Sequence, residues 1–307
     1  MLSTLVLAVL TMQPSDLKLD AACAETVKAA IGAFPEEKLV DGDIAVSVVD
    51  LDTHRKGSAH GAKSFYPASV VKFFYLVYAA HALEAGQIKL SDEASRAVRD
   101  MIVDSNNDAT GYVVDWLCGT TPGPELPSDE LKAWIEKRLA VNRWYTGLGF
   151  TGVNACNRTF NEGPYGRESQ LLGSKLENRN KLTADACARL MADMMEGSLV
   201  AAKWNEWCKA FMRREVPADN PSADAQAKGF IGGVLPKGST LYSKAGWVDS
   251  VRHDVAGCVF PDGRRYALAV FTARGKNTKL VSWVAGDLLR RLGLPTVTPP
   301  RYDADPD

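Results

Sequence analysis

The sequence predicts an α+β fold: an antiparallel sheet of about five strands flanked by terminal helices, with an all-α lobe inserted in the chain between its strands. Three observations predict it. Strand-like segments cluster at both ends, residues 43–51 with a return through 57–61, and residues 240–248, 252–260 and 266–273. The stretch 69–228 carries helical patterns punctuated by Gly and Pro, with no clear hairpin. Two segments of amphipathic character, 16–34 and 278–292, stand outside the two strand groups.

The elements follow in chain order. Residues 2–12 are apolar with no Lys or Arg before them, and Gln13, Pro14 and Ser15 break the run. This matches a signal-peptide core without its basic flank, so residues 1–14 read as a signal or N-terminal segment and the protein as exported, periplasmic or extracellular; a terminal strand or frayed helix is the alternative. Leu17, Leu19, Ala22, Val27, Ile31 and Phe34 then recur at loosely helical spacing behind a Pro14-Ser15 opening. Residues 43–51 are rich in β-branched side chains, and a polar turn at 52–56 makes a hairpin with 57–61. The three C-terminal strands are joined by short turns, one of them Pro261-Asp262-Gly263, and residues 278–292 end in the helix stop Gly293 and Pro295. The expected division is a sheet lobe of 15–68 and 229–294, a helical lobe of 69–228, and a loose Pro- and Asp-rich tail at 295–307.

Composition narrows the function. Across 307 residues, 46% hydrophobic and 24% charged residues describe a globular chain, with no membrane segment beyond the signal-like run. A net charge of −1 leaves no footprint for nucleic acid. The six cysteines show neither C-x-x-C nor regular spacing, so they are either disulfide partners after export or small buried hydrophobes. His54, His60, His81 and His253 form no ligand pattern with Cys or acidic residues, so neither a metal nor another cofactor is expected. Gly147-Leu-Gly-Phe-Thr-Gly152 matches a dinucleotide fingerprint but lacks the strand before it and the helix after it. No G-x-S-x-G is present, which argues against an α/β-hydrolase. The protein is expected to act as a monomer on a small molecule.

Three short motifs carry the chemistry. Ser69-Val-Val-Lys72 opens an apolar helix, and its spacing puts both polar side chains on one face. A serine hydroxyl needs a base, and a lysine serves as one when burial or a nearby cation lowers its pKa. The alternative is a capping serine with a solvated lysine. Ser105-Asn106-Asn107 precedes another helix and offers a hydroxyl to pass a proton and a carboxamide to hold a substrate amide; simple capping is the rival reading. Lys244-Ala245-Gly246 lies on a strand, where the glycine lets a substrate backbone approach and the lysine sets the local field; the rival is an edge-strand lysine.

In this order and on these elements, the three resemble the S-x-x-K, S-D-N and K-T-G set of class A β-lactamases and penicillin-binding proteins. Residues 243–257 also resemble that family's strand, turn and Asn-Asp-x-Ala return strand, and the match spans about 16–294. The resemblance implies a β-lactamase/transpeptidase fold in which Ser69 attacks an acyl carbonyl and Lys72 shares in deprotonating it. Ser105 would relay a proton to the leaving nitrogen, Asn107 would bind substrate, and Lys244 would set the field. The main-chain N–H groups of Ser69 and Trp247, the latter beside Gly246, would form the oxyanion hole. Arg252 becomes a candidate for binding a substrate carboxylate, against a solvated turn arginine.

The sequence also departs from the pattern. Asn106 replaces an aspartate, the segment between Ser69 and Ser105 is short, and Ala245 removes a hydroxyl that would bond a substrate carboxylate. Losing such a bond to a charged group costs ~1.5–3 kcal/mol. Class A enzymes activate the deacylating water with a loop glutamate; here 157–182 contains Glu162, Glu168 and Glu177, and Glu162, followed by Gly163-Pro164, is the candidate. The expected activity is acylation of Ser69 by a β-lactam or related acyl substrate, then hydrolysis. Its rivals are a D-Ala-D-Ala carboxypeptidase or penicillin-binding activity on peptidoglycan-like substrates, a serine esterase, and a non-catalytic binding module.

Overall fold

The computed structural model describes residues 14–299, so the signal-like segment apart from Pro14, and the tail from 300 onward, lie outside the described residues. Helix α1 (Pro14–Ala33) precedes a hairpin of β1 (Ile44–Asp50) and β2 (Arg55–Ala59). Asp50 closes the hairpin turn, its Oδ1 accepting from the Asp52 and Thr53 N–H groups at 3.0 and 3.2 Å. A two-residue strand β3 (Ser64–Phe65) leads through the 3-10 turn Ala68–Val70 into α2 (Val71–Glu84).

Every residue of α2 except His81 and Glu84 is buried. Such a helix belongs in a core, which is why its sequence shows no one-sided stripe. Around it lie α3 (Asp92–Ile102), α4 (Asn107–Cys118), α5 (Ser128–Arg138), α6 (Ala140–Gly147), α7 (Arg167–Leu172), α8 (Ala184–Glu196) and α9 (Ala202–Met212). Ser91 caps α3 by accepting from the Ala94 N–H at 3.1 Å, and Asn106 caps α4 by accepting from Ala109 at 2.8 Å. Gly147 ends α6 rather than following a strand, so no dinucleotide loop forms there.

A small pair joins β3 to β4 (Leu182–Thr183). The main sheet adds β5 (Arg213–Arg214), β6 (Thr240–Val248), β7 (Val251–Val259) and β8 (Arg265–Thr272) to the hairpin. Its order is β2-β1-β8-β7-β6-β5, antiparallel throughout. The sixth strand beyond the expected set is β5, whose two residues face Tyr242 and Leu241 and are too few to show a period. Short α10 (Ala225–Lys228) and long α11 (Leu280–Arg291) complete the described chain.

Both faces of the sheet are covered. Ile44, Val46, Val48, Leu268 and Val270 pack with residues of α1 and α11, whereas Ala45, Ala267, Ala269 and Phe271 pack with α2 and α8. Double burial explains why these strands read as apolar runs rather than clean alternation. Each fully buried Val, Leu or Phe contributes ~1.5–3 kcal/mol, so these two layers are the main source of stability. All six cysteines are buried and free, and burial pushes the Cys23 thiol up to about 12. They are small hydrophobes of the core, not disulfide partners. Among the described residues, no helix is long and apolar enough to cross a membrane, and no group of three or more His, Cys, Asp or Glu could hold a metal ion.

Candidate active site

Ser69 lies in the turn Ala68–Val70, half-exposed, where α2 begins. The main chain there is strained: Ala68 has φ 46, a left-handed value that costs a non-glycine residue ~1–3 kcal/mol unless its surroundings enforce it. Strand β6 supplies part of that enforcement. A Cβ on Gly246 would stand 2.7 Å from the backbone nitrogens of Ser69 and Val70 and 2.8 Å from the Pro67 oxygen. Only glycine lets β6 lie this close, so the third motif is brought against the first and the Trp247 main chain lies next to Ser69.

Lys72, one turn beyond Ser69 and second in α2, is fully buried. Its ammonium donates to the Ser105 carbonyl at 2.5 Å, to Asn107 Oδ1 at 2.8 Å and to Ser105 Oγ at 3.3 Å. Its hydrogen bonds therefore run to the second motif rather than to the Ser69 hydroxyl. No carboxylate takes part in them, and burial lowers its pKa to about 7. The solvated-lysine alternative is thereby excluded.

Lys244 is buried as deeply and donates to Ser105 Oγ at 3.0 Å, Gln226 Oε1 at 2.6 Å and the Ala245 carbonyl at 2.8 Å. Burial, then the charges of Lys72 and Arg214, hold it well below the usual lysine range. Strand β5 pairs only with Leu241 and Tyr242, so at Lys244 itself β6 pairs with β7 alone, and it is the full burial of the side chain that sets it apart from a solvated edge lysine. Ser105, held at φ 55, receives both lysines on one hydroxyl oxygen. A hydroxyl has two acceptor sites and one proton, so with both lysines donating the Ser105 hydrogen is left to point away from them.

Gln226 was not legible in the sequence. It sits on α10, donates to the Val103 carbonyl at 2.9 Å, and accepts from Arg214 at 3.5 Å as well as from Lys244. A neutral amide thus stands where a carboxylate would have held Lys244 charged.

Asn107 turns its other end to the loop: its Nδ2 donates to Asn161 Oδ1 at 2.9 Å, and Asn161 in turn donates to Asp108 Oδ1 at 3.1 Å. The loop residue brought to the motifs is therefore Asn161, and Glu162 makes none of the hydrogen bonds that link these groups. Glu162 is exposed, and its carbonyl accepts from the Tyr165 hydroxyl at 2.9 Å. Gly163, at φ 91, follows it in the turn. Glu168 is buried in an ion cluster, paired with Arg138 and 3.4 Å from Arg158 Nε, while Asp115 accepts from Arg138 at 2.7 Å. Glu177 is exposed and accepts from the Lys175 N–H at 3.2 Å.

Arg252 is no solvated turn residue. It is fully buried on β7, directly across from Trp247, with its guanidinium 4.2 Å from the Phe230 ring centre and 5.6 Å from that of Trp247. Ala245, facing the same layer, is also fully buried.

The model of the beta-lactamase enzyme family matches residues 23–97 and 93–292 of this sequence. No curated protein matches it. Among solved structures, the TLA-1 extended spectrum beta-lactamase is similar with a TM-score of 0.66 and 13% identity, over 90% of this chain and 99% of that one. A beta-lactamase from Chitinophaga pinensis has a TM-score of 0.64 and 16% identity, over 89% and 98%. A PBP-A variant, solved as an acyl-enzyme complex with penicillin G, has a TM-score of 0.63 and 18% identity, over 88% and 97%. At these identities the structural likeness speaks to the fold.

Proposed function

The chain belongs to the beta-lactamase enzyme family, and from that premise we propose that it is a serine enzyme that takes the acyl group of a β-lactam, or of a related amide or ester, onto Ser69. One observation carries the proposal: two buried lysines, neither hydrogen-bonded to a carboxylate, converge on the Ser105 hydroxyl at 3.3 and 3.0 Å beside the turn that bears Ser69.

The proposed steps follow from that geometry. With a pKa of about 7, Lys72 is neutral in about half the molecules at pH 7, against well under a thousandth for a lysine in water. Neutral Lys72 accepts the Ser69 proton, by way of Ser105, as the Ser69 oxygen bonds to the carbonyl carbon. The tetrahedral oxyanion is held by the Ser69 and Trp247 N–H groups, the type of donor worth ~3–4 kcal/mol each. As the carbon–nitrogen bond breaks, the Ser105 hydroxyl gives its proton to the leaving nitrogen and is resupplied from Lys72. Asn107 binds the substrate amide, and Lys244 keeps the Lys72 proton mobile by charge repulsion.

The fate of the acyl group turns on Asn161. A carboxamide can orient water but cannot take a proton from it at neutral pH. This favours a long-lived acyl-enzyme, and with it a second reading, penicillin-binding or D-Ala-D-Ala carboxypeptidase activity on a peptidoglycan-like substrate. A chromogenic cephalosporin tests the proposal: a burst matching the enzyme concentration, then slow turnover, with both lost in Ser69→Ala, supports it. Reversible binding with no burst would point to a non-catalytic module instead.

A further inference from the structure

His253 is a buried group that none of these steps uses. On β7 it stands directly opposite Gly246 of β6 and Phe271 of β8, on the face of the sheet that meets the Ser69 turn. Its ring is fully buried, stacked 4.2 Å from Phe271 at an interplanar angle of 18° and edge-on to Phe65 at 5.6 Å.

Both ring nitrogens are committed. The Thr272 main-chain N–H lies 3.1 Å from Nδ1, and the Tyr66 carbonyl lies 2.9 Å from Nε2. An amide N–H can only donate and a carbonyl can only accept, so one arrangement satisfies both: Nδ1 bare, Nε2 carrying the single proton. Burial lowers the pKa of His253 to about 4, consistent with a neutral ring.

Tyr66 is the point at which the chain leaves β3 for the nucleophile. Phe65 is tied to Leu182 of β4, the Pro67 oxygen and Ser69 nitrogen lie against Gly246, and strained Ala68 falls between. Tyr66 has no strand partner, and the imidazole supplies its tether. We infer that His253 is a positioning residue for Ser69, holding the Tyr66 carbonyl through its Nε2 proton so that the strained turn presents the serine oxygen and its N–H in register with β6. The inference rests on the reading of Ser69 as nucleophile.

Two substitutions separate positioning from mere packing. In His253→Gln the longer amide can still donate to Tyr66. In His253→Asn the shorter one can still accept from Thr272 but falls short of Tyr66. Acylation by a chromogenic cephalosporin is followed over a range of concentrations, with thermal stability measured alongside. The expected result is that His253→Gln stays within a few-fold of wild type, whereas His253→Asn loses ~100-fold in the first-order acylation rate, a loss typical of small misplacements of a reacting group. The apparent affinity for the cephalosporin should barely move. A folded His253→Asn that acylates like wild type, or two variants whose rates fall together in step with stability, would overturn the inference. Nitrogen NMR of the imidazole provides a readout free of catalysis: Nε2 protonated and Nδ1 bare at neutral pH is expected, and the opposite tautomer or a doubly protonated ring overturns it. A wild type that accepts no acyl group sinks the Ser69 reading and this inference together; a normal wild type with an unaffected His253→Asn sinks this inference alone.

Discussion

The Asn107 carboxamide donates to Asn161 Oδ1 across 2.9 Å, while its own oxygen accepts from Lys72 at 2.8 Å. The loop thus meets the proposed proton path through an amide. Asn161 in turn donates to the exposed Asp108 carboxylate at 3.1 Å.

Supplying the base should change the fate of the acyl-enzyme. Asn161→Asp keeps the shape and puts a carboxylate oxygen where Nδ2 now faces Asp108. Repulsion between the two carboxylates raises the affinity of the pair for a proton, which strengthens it as a base. Steady-state turnover after the burst should rise ~10-fold or more, within the range of general-base effects. In contrast, Glu162→Gln should leave turnover within about two-fold, since its side chain stands in solvent. A large loss in Glu162→Gln, with no gain in Asn161→Asp, would return the water to Glu162.

The pH dependence of acylation reports on Lys72. Its pKa is depressed to about 7, and the neutral form is the one that accepts a proton. The acylation rate should therefore climb about tenfold per pH unit below 7 and level off above it. Lys72→Met should remove the rise and at least ~1000-fold of the rate. A flat profile between pH 5 and 9 in the wild type, measured as burst rate against pH, would assign the proton to another group.

The loop that carries Asn161 is anchored by Arg138 and Glu168, both buried, with Arg158 and Asp115 completing the cluster. Glu168→Ala leaves Arg138 in the interior with one carboxylate instead of two. The expected cost is ~3–5 kcal/mol of unfolding free energy, the usual penalty for removing one partner of a buried pair. Denaturant titration checks it, and a loss under ~1 kcal/mol would mean that the cluster does not hold the loop.

Much of the placement is legible in the sequence, for identifiable reasons. The three motifs meet because local structure fixes their positions: Ser69 and Lys72 at the start of an apolar helix, Ser105 before the N-cap Asn106, and Lys244 in the middle of a strand. The sheet was readable where strands run for many residues, and invisible at β3, β4 and β5, which have two residues each. The contact of Asn161 with Asn107 is not legible, because which of two adjacent loop residues reaches another segment depends on backbone angles that no periodicity encodes. The burial of Arg252 is not legible either, since it depends on Phe230 packing against the guanidinium beside Trp247, its partner across the β6–β7 hairpin. His253 carried no signal at all, because its role comes from meeting Tyr66 across the fold.

The most direct measurement is the intact mass of the protein after exposure to penicillin G, followed by peptide mapping and repeated over time. One added penicillin per chain is expected, carried on Ser69, slow to disappear, and absent from Ser69→Ala. A chain that stays unmodified by penicillins and cephalosporins alike, or an adduct that persists in Ser69→Ala, would contradict it.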